Sequence, residues 1–123
     1  MRPIKFRGIG IKSERWVYGA YVPAIDEDCC DSIIDEQGAL HIVFSETVGQ
    51  YTGLKDKNGK EIWEGDIVQC KTWQHYVATI IYDDSWGAFS LRFYPFSSGR
   101  RVRVTHKSVK VIGNTIDNPE LLK

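Results

Sequence analysis

The fold is decided by residues 51–68, whose sequence is YTGLKDKNGKEIWEGDIV. Turn-forming residues fill the middle of this stretch, and strand-forming residues close it. Asn58 and Gly59 both tolerate a positive φ, which a type I′ hairpin turn requires at its two central positions. Asp56 is placed to cap that turn with its own carboxylate. The polar and apolar alternation over residues 60–63 then predicts a short strand.

A second break follows at residues 64–66 and leads into the strand-forming residues 67–70. Gly65 predicts a turn or a bulge at this point. Asp66 has no partner acid or histidine nearby in the sequence, which a general acid would need. We therefore expect the Asp66 carboxylate to accept hydrogen bonds from the backbone of the turn.

Strand patterns also precede the central stretch. Residues 4–9 alternate with a period of two, and residues 15–22 are rich in aromatic and β-branched side chains, so the two segments predict a hairpin. Trp16 and Tyr18 share one face, and one of the two faces should be largely covered. For Trp16, core packing is expected and ligand stacking is the alternative. Shorter strands are predicted at 32–35 and 39–44. In the latter segment Leu40, Ile42 and Phe44 share a face and His41 lies on the other.

Four further elements are predicted after the central stretch. Residues 76–82 and 88–94 form a hairpin, and residues 109–112 form a late strand. In the second arm of the hairpin, Phe89, Leu91 and Phe93 fall on a core face, while Ser90, Arg92 and Tyr94 fall on a solvated face. Asn118 and Pro119 predict a capped helical turn near the C-terminus.

Composition narrows the function classes. The 123 residues include 42% hydrophobic and 26% charged residues, which fits one globular domain or two small subdomains. The 16 basic residues balance the 16 acidic residues, which argues against a protein that simply coats DNA. The three cysteines lack metal-binding spacing, so we expect reduced thiols in a cytosolic protein and no metal site. No apolar run is long enough for a membrane span, so no membrane association is expected.

Three segments resemble the YopX family of phage and prophage proteins. The segment YTGLKD through EGDIV at 51–68 is similar to the family's signature, IKFR at 4–7 to its opening, and VIGN with DNPELL at 111–122 to its close. The resemblance spans nearly the whole chain and implies a mainly β protein of the bacterial cytoplasm. It implies one YopX-like domain over 1–123, with a β-rich subdomain at 1–48 and a small SH3-like barrel at 49–123. A short helical turn ends the chain.

The resemblance implies no catalytic residues, and the sequence has no phosphate loop, nucleophile elbow or paired metal ligands. We therefore expect a non-catalytic binding or adaptor module that needs no cofactor. A basic strand next to aromatic residues suggests a nucleic-acid groove, with a solvated strand face as the alternative. The candidate nucleic-acid-binding residues are Arg92, Arg100, Arg101, Arg103 and Lys107.

The alternative from another class is a structural protein that acts as a homo-oligomer. Edge strands in a small, aromatic-rich β protein favour pairing between chains, and opposite charge patches on a neutral chain favour docking. A phage or host protein is a further candidate partner.

Overall fold

The computed structural model describes residues 4–25, 30–70, 77–85, 87–94, 102–103 and 109–122. Within those residues the chain is mainly β, with eleven strands in two antiparallel sheets. The strands are β1 (Phe6–Ile9), β2 (Trp16–Val22), β3 (Ser32–Ile34), β4 (Leu40–Ile42), β5 (Gly49–Lys55), β6 (Glu61–Trp63), β7 (Asp66–Cys70), β8 (Val77–Asp83), β9 (Ala88–Tyr94), β10 (Val102–Arg103) and β11 (Val109–Asn114).

The chain divides into two compact units, Met1–Tyr51 and Thr52–Lys123. In the first unit the strand order is β4-β3-β2-β1-β5. The predicted hairpin of β1 and β2 is confirmed, with Phe6 opposite Gly19 and Ile9 opposite Trp16. Strand β5 crosses from the first unit into the second, where it neighbours β6.

The inner face of the first unit is a small core around Ile33 and Val43, which are 0% and 2% exposed. The rings of Phe6 and Tyr21 meet beside it with their centroids 5.3 Å apart. Because side chains alternate along a strand, the residues between these positions lie on the opposite face of the sheet.

The second unit holds the larger core and a sheet ordered β10-β9-β8-β7-β11. Apolar side chains from β6, β7, β8, β9 and β11 form the core, with Phe89 and Phe93 packed against it, so the predicted core face of β9 is confirmed. The buried members are Ile62, Val68, Ala78, Ile80, Leu91, Val109 and Val111. The predicted solvated face of β9 is wrong at Ser90, which is 1% exposed; Thr79, on the same face of the neighbouring strand, is 4% exposed.

The central turn is capped as predicted, but its type differs. Asp56 Oδ1 accepts hydrogen bonds from the N–H groups of Asn58 and Lys60 at 2.8 and 2.9 Å. Gly59 donates to the Asp56 carbonyl at 3.0 Å and has a φ of 82°, while Asn58 is absent from the positive-φ residues. This pattern is typical of a type I turn followed by a left-handed glycine, so the type I′ prediction is wrong. The Asp56 carboxylate stabilises this alternative because it satisfies the N–H of Asn58.

The same carboxylate ties the turn to the last strand. Asp56 Oδ2 accepts the N–H of Val111 at 2.9 Å, across 55 residues of sequence. Burial raises the pKa of the Asp56 carboxyl, but the donors at Val111, Lys60 and Asn58 outweigh burial and hold the pKa below its usual value. Asp56 is therefore an ionised, buried cross-link between the hairpin turn and β11.

Asp66 stabilises the turn at residues 64–66. Its Oδ2 accepts the N–H of Trp63 at 2.8 Å, which confirms the predicted turn role. Gly65 donates to the Ile80 carbonyl at 2.8 Å and accepts from Thr115 at 2.9 Å. These bonds fix the start of β7 in the second unit.

Two predictions for this unit have different outcomes. The C-terminal helical turn is confirmed as a 3₁₀ segment at Pro119–Leu122. The Asn118 side chain, however, accepts the N–H of Asn114 at 3.2 Å, so it bonds to the end of β11. No sheet closes into a barrel within the described residues, since β10 and β11 remain at the two edges of theirs. The SH3-like barrel therefore stays a prediction.

Helical structure is sparse. Neither of the two short 3₁₀ segments among the described residues has the length or apolar character needed to cross a membrane.

Candidate binding surfaces

The outer face of strands β2, β3 and β4 is apolar. The register aligns Val22 with Ser32 and Ser32 with Ile42, and it aligns Ala20 with Ile34 and Ile34 with Leu40. The two rows are two residues apart on every strand, so all of these side chains lie on one face. Tyr18 precedes the rows on β2, and Phe44 continues the alternation just after β4. We call Tyr18, Val22, Ile34, Leu40, Ile42 and Phe44 the apolar face.

The apolar face is open to solvent. Its six side chains are between 37% and 61% exposed, with Leu40 the most exposed. Single exposed apolar residues are ordinary, but contiguous apolar patches mark binding surfaces. The face is contiguous because its members occupy adjacent positions on three paired strands.

The core of the first unit lies on the other face of the same strands. Ile33 and Val43, which fill the core, lie between the members of the apolar face along the chain. Both faces of this small sheet thus carry apolar residues, and the core uses only one. Tyr18, which shares a face with Trp16, is 46% exposed. Trp16 is half-buried beneath the guanidinium of Arg7, which lies 4.5 Å from the ring centroid.

The turn between β3 and β4 is held by Asp35. Its Oδ1 accepts the N–H groups of Gln37 and Ala39 at 3.0 and 2.9 Å. Its Oδ2 lies 2.7 Å from Nε2 of His41, which is on the face opposite Leu40 as predicted. The hydrogen bond from His41, followed by that from Ala39, lowers the pKa of the Asp35 carboxyl. The turn therefore presents Leu40 at a fixed position.

Asp31 anchors the other end of β3. Its Oδ1 accepts the N–H of Ala24 at 2.8 Å, and this bond is the main cause that lowers the pKa of the carboxyl. Burial, and then the charge of Asp31, raises the pKa of the neighbouring Tyr21 hydroxyl. The backbone just after β2 is thus tied to the residue that precedes β3.

The outer edge of β4 is engaged at its C-terminal end. The Ile42 carbonyl accepts the N–H of Ile11 at 2.8 Å, and the N–H of Phe44 donates to the Ile9 carbonyl at 3.0 Å. An isolated bridge joins Gly10 and Val43 between these two bonds. A partner would therefore contact β4 mainly through the apolar face.

The predicted basic strand is described only in part. Arg92 is exposed on β9, and β10 places Arg103 opposite Ser90, two residues away from Arg92 along β9. The remaining candidates, Arg100, Arg101 and Lys107, lie outside the described residues. The structure therefore sets the backbones of Arg92 and Arg103 on neighbouring strands and leaves the rest of the predicted groove untested.

Among the described residues, no group of three or more His, Cys, Asp or Glu side chains is arranged to hold a metal ion. The buried carboxylates of Asp56 and Asp66 both accept backbone hydrogen bonds. Cys30 is an exposed free thiol.

The sequence did not reveal the apolar face, because alternation shows which residues share a face but not which face is covered.

Comparison with known proteins finds a matching family model and a similar solved structure. A family model described as YopX protein matches residues 5–123. The chain is similar to a solved structure described as the crystal structure of protein EF1440 from Enterococcus faecalis. That similarity has 28% sequence identity and a TM-score of 0.60, and it covers 100% of both chains. A search of the curated proteins finds no match.

Proposed function

The chain belongs to the YopX family, and we propose that it is a non-catalytic binding or adaptor module of the phage or prophage programme. The observation that carries the proposal is the apolar face of strands β2, β3 and β4. Its six side chains expose on the order of 500 Å² of surface, which is the size of the largest apolar patch on a typical monomer (~300–600 Å²), and such a patch is often functional.

The chemistry of the face supports binding. A solvent-exposed sheet face would ordinarily alternate to polar residues, as antiparallel sheets with one wet side do. Here Leu40 and Ile42 are apolar, although Leu40 is mostly exposed and Ile42 is about half exposed. Covering such side chains with a partner removes them from water and stabilises the complex by about 25 cal/mol per Å² before association costs.

The buried acids support a role without catalysis. A general acid or base needs a carboxylate that can reach a substrate proton. Asp56 and Asp66 are 5% and 3% exposed, and their oxygens accept backbone N–H groups. Their geometry suits turn stabilisation in the second unit.

Capture from phage-infected cells tests the proposal. Tagged wild-type protein is compared with the double variant Leu40→Glu/Ile42→Glu and with Ile116→Glu. Ile116 is a matched control because it is 39% exposed and belongs to the second unit. We expect a partner that wild type and Ile116→Glu retain, that the double variant loses, and that rebinds when purified. Equal retention by all three proteins would remove the apolar face from the proposal.

A second candidate function is contact with nucleic acid through the basic strand. The pairing of β10 with β9 favours it, because it brings the backbones of Arg103 and Arg92 to adjacent strands. Cations in such an array contact phosphates, and this binding weakens as salt rises. The balanced net charge of zero works against long-range attraction.

Titration of labelled single- and double-stranded oligonucleotides at low salt tests this second function. Binding in the micromolar range, lost when Arg100, Arg101 and Arg103 are replaced by Ala, would support it (dissociation constants of roughly 1–100 μM are usual for non-specific contacts). The absence of binding at low salt would eliminate it.

Two finer points complete the proposal. We propose that the second unit is an SH3-like barrel, supported by its antiparallel five-stranded sheet and by the tight turn at Gly65 that opens β7. We propose the bacterial cytoplasm as its location, because an exposed free thiol such as Cys30 is typical of a reducing compartment.

A further inference from the structure

We infer that the occupant of the apolar face is a second copy of this chain, packed face to face across a two-fold axis. The inference rests on the proposed function, since it names the partner of the surface described there. Four features of the described residues support it: the chemistry of the face, its shape, its area and the charge of the chain.

The chemistry of the face selects an apolar partner. The face positions on β2, β3 and β4 carry only uncharged side chains, including the small residues Ala20 and Ser32 between the larger ones. Nucleic acid or a charged peptide would find no exposed counter-charge at these positions and would lose hydration, since Arg7, opposite Tyr18 on β1, is 8% exposed and lies over the Trp16 ring. A partner must therefore present an apolar surface of its own.

The shape of the face selects a sheet. Two sheets pack face to face at about 10 Å with their side chains interdigitating. Ser32 is 8% exposed between its register partners Val22 and Ile42, and Ala20 is exposed opposite Ile34, so small residues alternate with larger apolar ones across the face, as interdigitation requires. A two-fold axis makes the same patch serve both partners.

Edge pairing is the competing route to self-association, and the structure disfavours it at β4. Hydrogen bonds from Ile11 to Ile42 and from Phe44 to Ile9 already occupy the outer edge at the end of that strand and just after it. A strand added along residues 42–44 would have to break both bonds. Association through the face leaves them intact.

The area suits a modest dimer. Each copy contributes on the order of 500 Å² of apolar surface, so two copies bury about 1,000 Å², close to the lower limit for a specific interface. The net charge of the chain is zero, so two copies meet without overall repulsion. These values predict a reversible, concentration-dependent dimer.

Sedimentation equilibrium of the full chain tests the inference. We expect the average mass of the wild type to rise with concentration from 14.1 kDa towards twice that value. Leu40→Glu/Ile42→Glu should weaken the dimer on the order of 100-fold, because it buries unpaired carboxylates at the centre of the interface. Ile116→Glu should dimerise like the wild type.

Circular dichroism verifies that each variant is folded. If the double Glu variant unfolds, Leu40→Thr/Ile42→Thr replaces it, since threonine favours strands and should still weaken the dimer about tenfold. A wild type that stays monomeric, or a folded variant that dimerises normally, overturns the inference. A monomeric wild type that still captures another protein through Leu40 and Ile42 would overturn the dimer alone and leave the proposed function standing. A wild type that neither dimerises nor captures another protein would overturn both the dimer and the proposed function.

Discussion

Removing the Asp56 carboxylate should destabilise the second unit more than any other single change to a turn. The carboxylate accepts three backbone N–H groups, from Asn58, Lys60 and Val111, at 2.8–2.9 Å. Hydrogen bonds to a charged acceptor are worth about 1.5–3 kcal/mol each. Asn58 and Lys60 are exposed, so water can partly replace the hydrogen bonds that their N–H groups lose. The hydrogen bond from Val111 is buried, so its N–H would be left without a partner.

From these contacts we expect Asp56→Ala to lower the free energy of unfolding by about 3–4 kcal/mol and Asp56→Asn by about 2 kcal/mol. The asparagine keeps one acceptor oxygen, but its NH2 group would face either the turn N–H groups or the Val111 N–H, and two donors cannot bond to each other. Urea unfolding followed by circular dichroism measures both values. Asp83→Asn is the control, because Asp83 caps an exposed turn at Ser85 and its loss should cost less than about 1 kcal/mol.

The pH dependence of stability gives an independent check. The pKa of Asp56 is lowered in the folded chain relative to an ordinary value of about 3.9. The unfolded state therefore binds the proton more readily, so this contribution to stability is complete above about pH 5 and is lost as the pH falls through the folded pKa. Asp56→Asn should flatten the acid limb of the stability curve. A loss below about 1 kcal/mol for Asp56→Ala, with an unchanged acid limb for Asp56→Asn, would refute the cross-link.

Three further predictions concern single residues. Gly19→Ala should lower the free energy of unfolding by about 2–3 kcal/mol in urea titrations, because its Cβ would lie 1.9 Å from the Ile34 carbonyl oxygen; a neutral effect would contradict that close approach. Ser90→Ala should change stability by less than about 0.5 kcal/mol or raise it, since the buried Ser90 Oγ has no hydrogen-bond partner in the described structure; a loss above about 1 kcal/mol would reveal a partner. In an NMR titration the Asp35 carboxyl should have a pKa below its usual value, and His41→Ala should raise that pKa, because the His41 hydrogen bond is the main cause of the shift; an unmoved midpoint would exclude this cause.

The sequence predicted the strands that alternation makes visible, and missed one that tertiary pairing creates. Strand β5 begins at Gly49 and includes Gly53, so its residues appeared to belong to a turn-rich segment. It forms because β1 and β6 pair with it on its two sides. Local propensity cannot report such pairing, since a glycine-containing strand depends on its neighbours.

The central turn and the two faces of the first sheet show the same limit of prediction from local sequence. Asn58 and Gly59 fitted two hairpin geometries, and the buried carboxylate of Asp56 decided between them through a bond to Val111, which is far along the chain. Alternation placed Leu40 and Ile42 together but gave no information on whether anything covers them. Coverage depends on what packs against a sheet, and this is fixed only when the whole unit is assembled.

The most direct test of the central claim is the solvent accessibility of methyl groups on the apolar face, measured by NMR with a soluble paramagnetic agent. We predict strong relaxation enhancement of the Ile34, Leu40 and Ile42 methyls at low protein concentration. Their enhancement should fall as the concentration rises, while that of Ile116 stays constant. Methyls that are already protected at the lowest concentration would contradict the claim that this face is open for binding, and methyls equally enhanced at the highest concentration would contradict the face-to-face dimer.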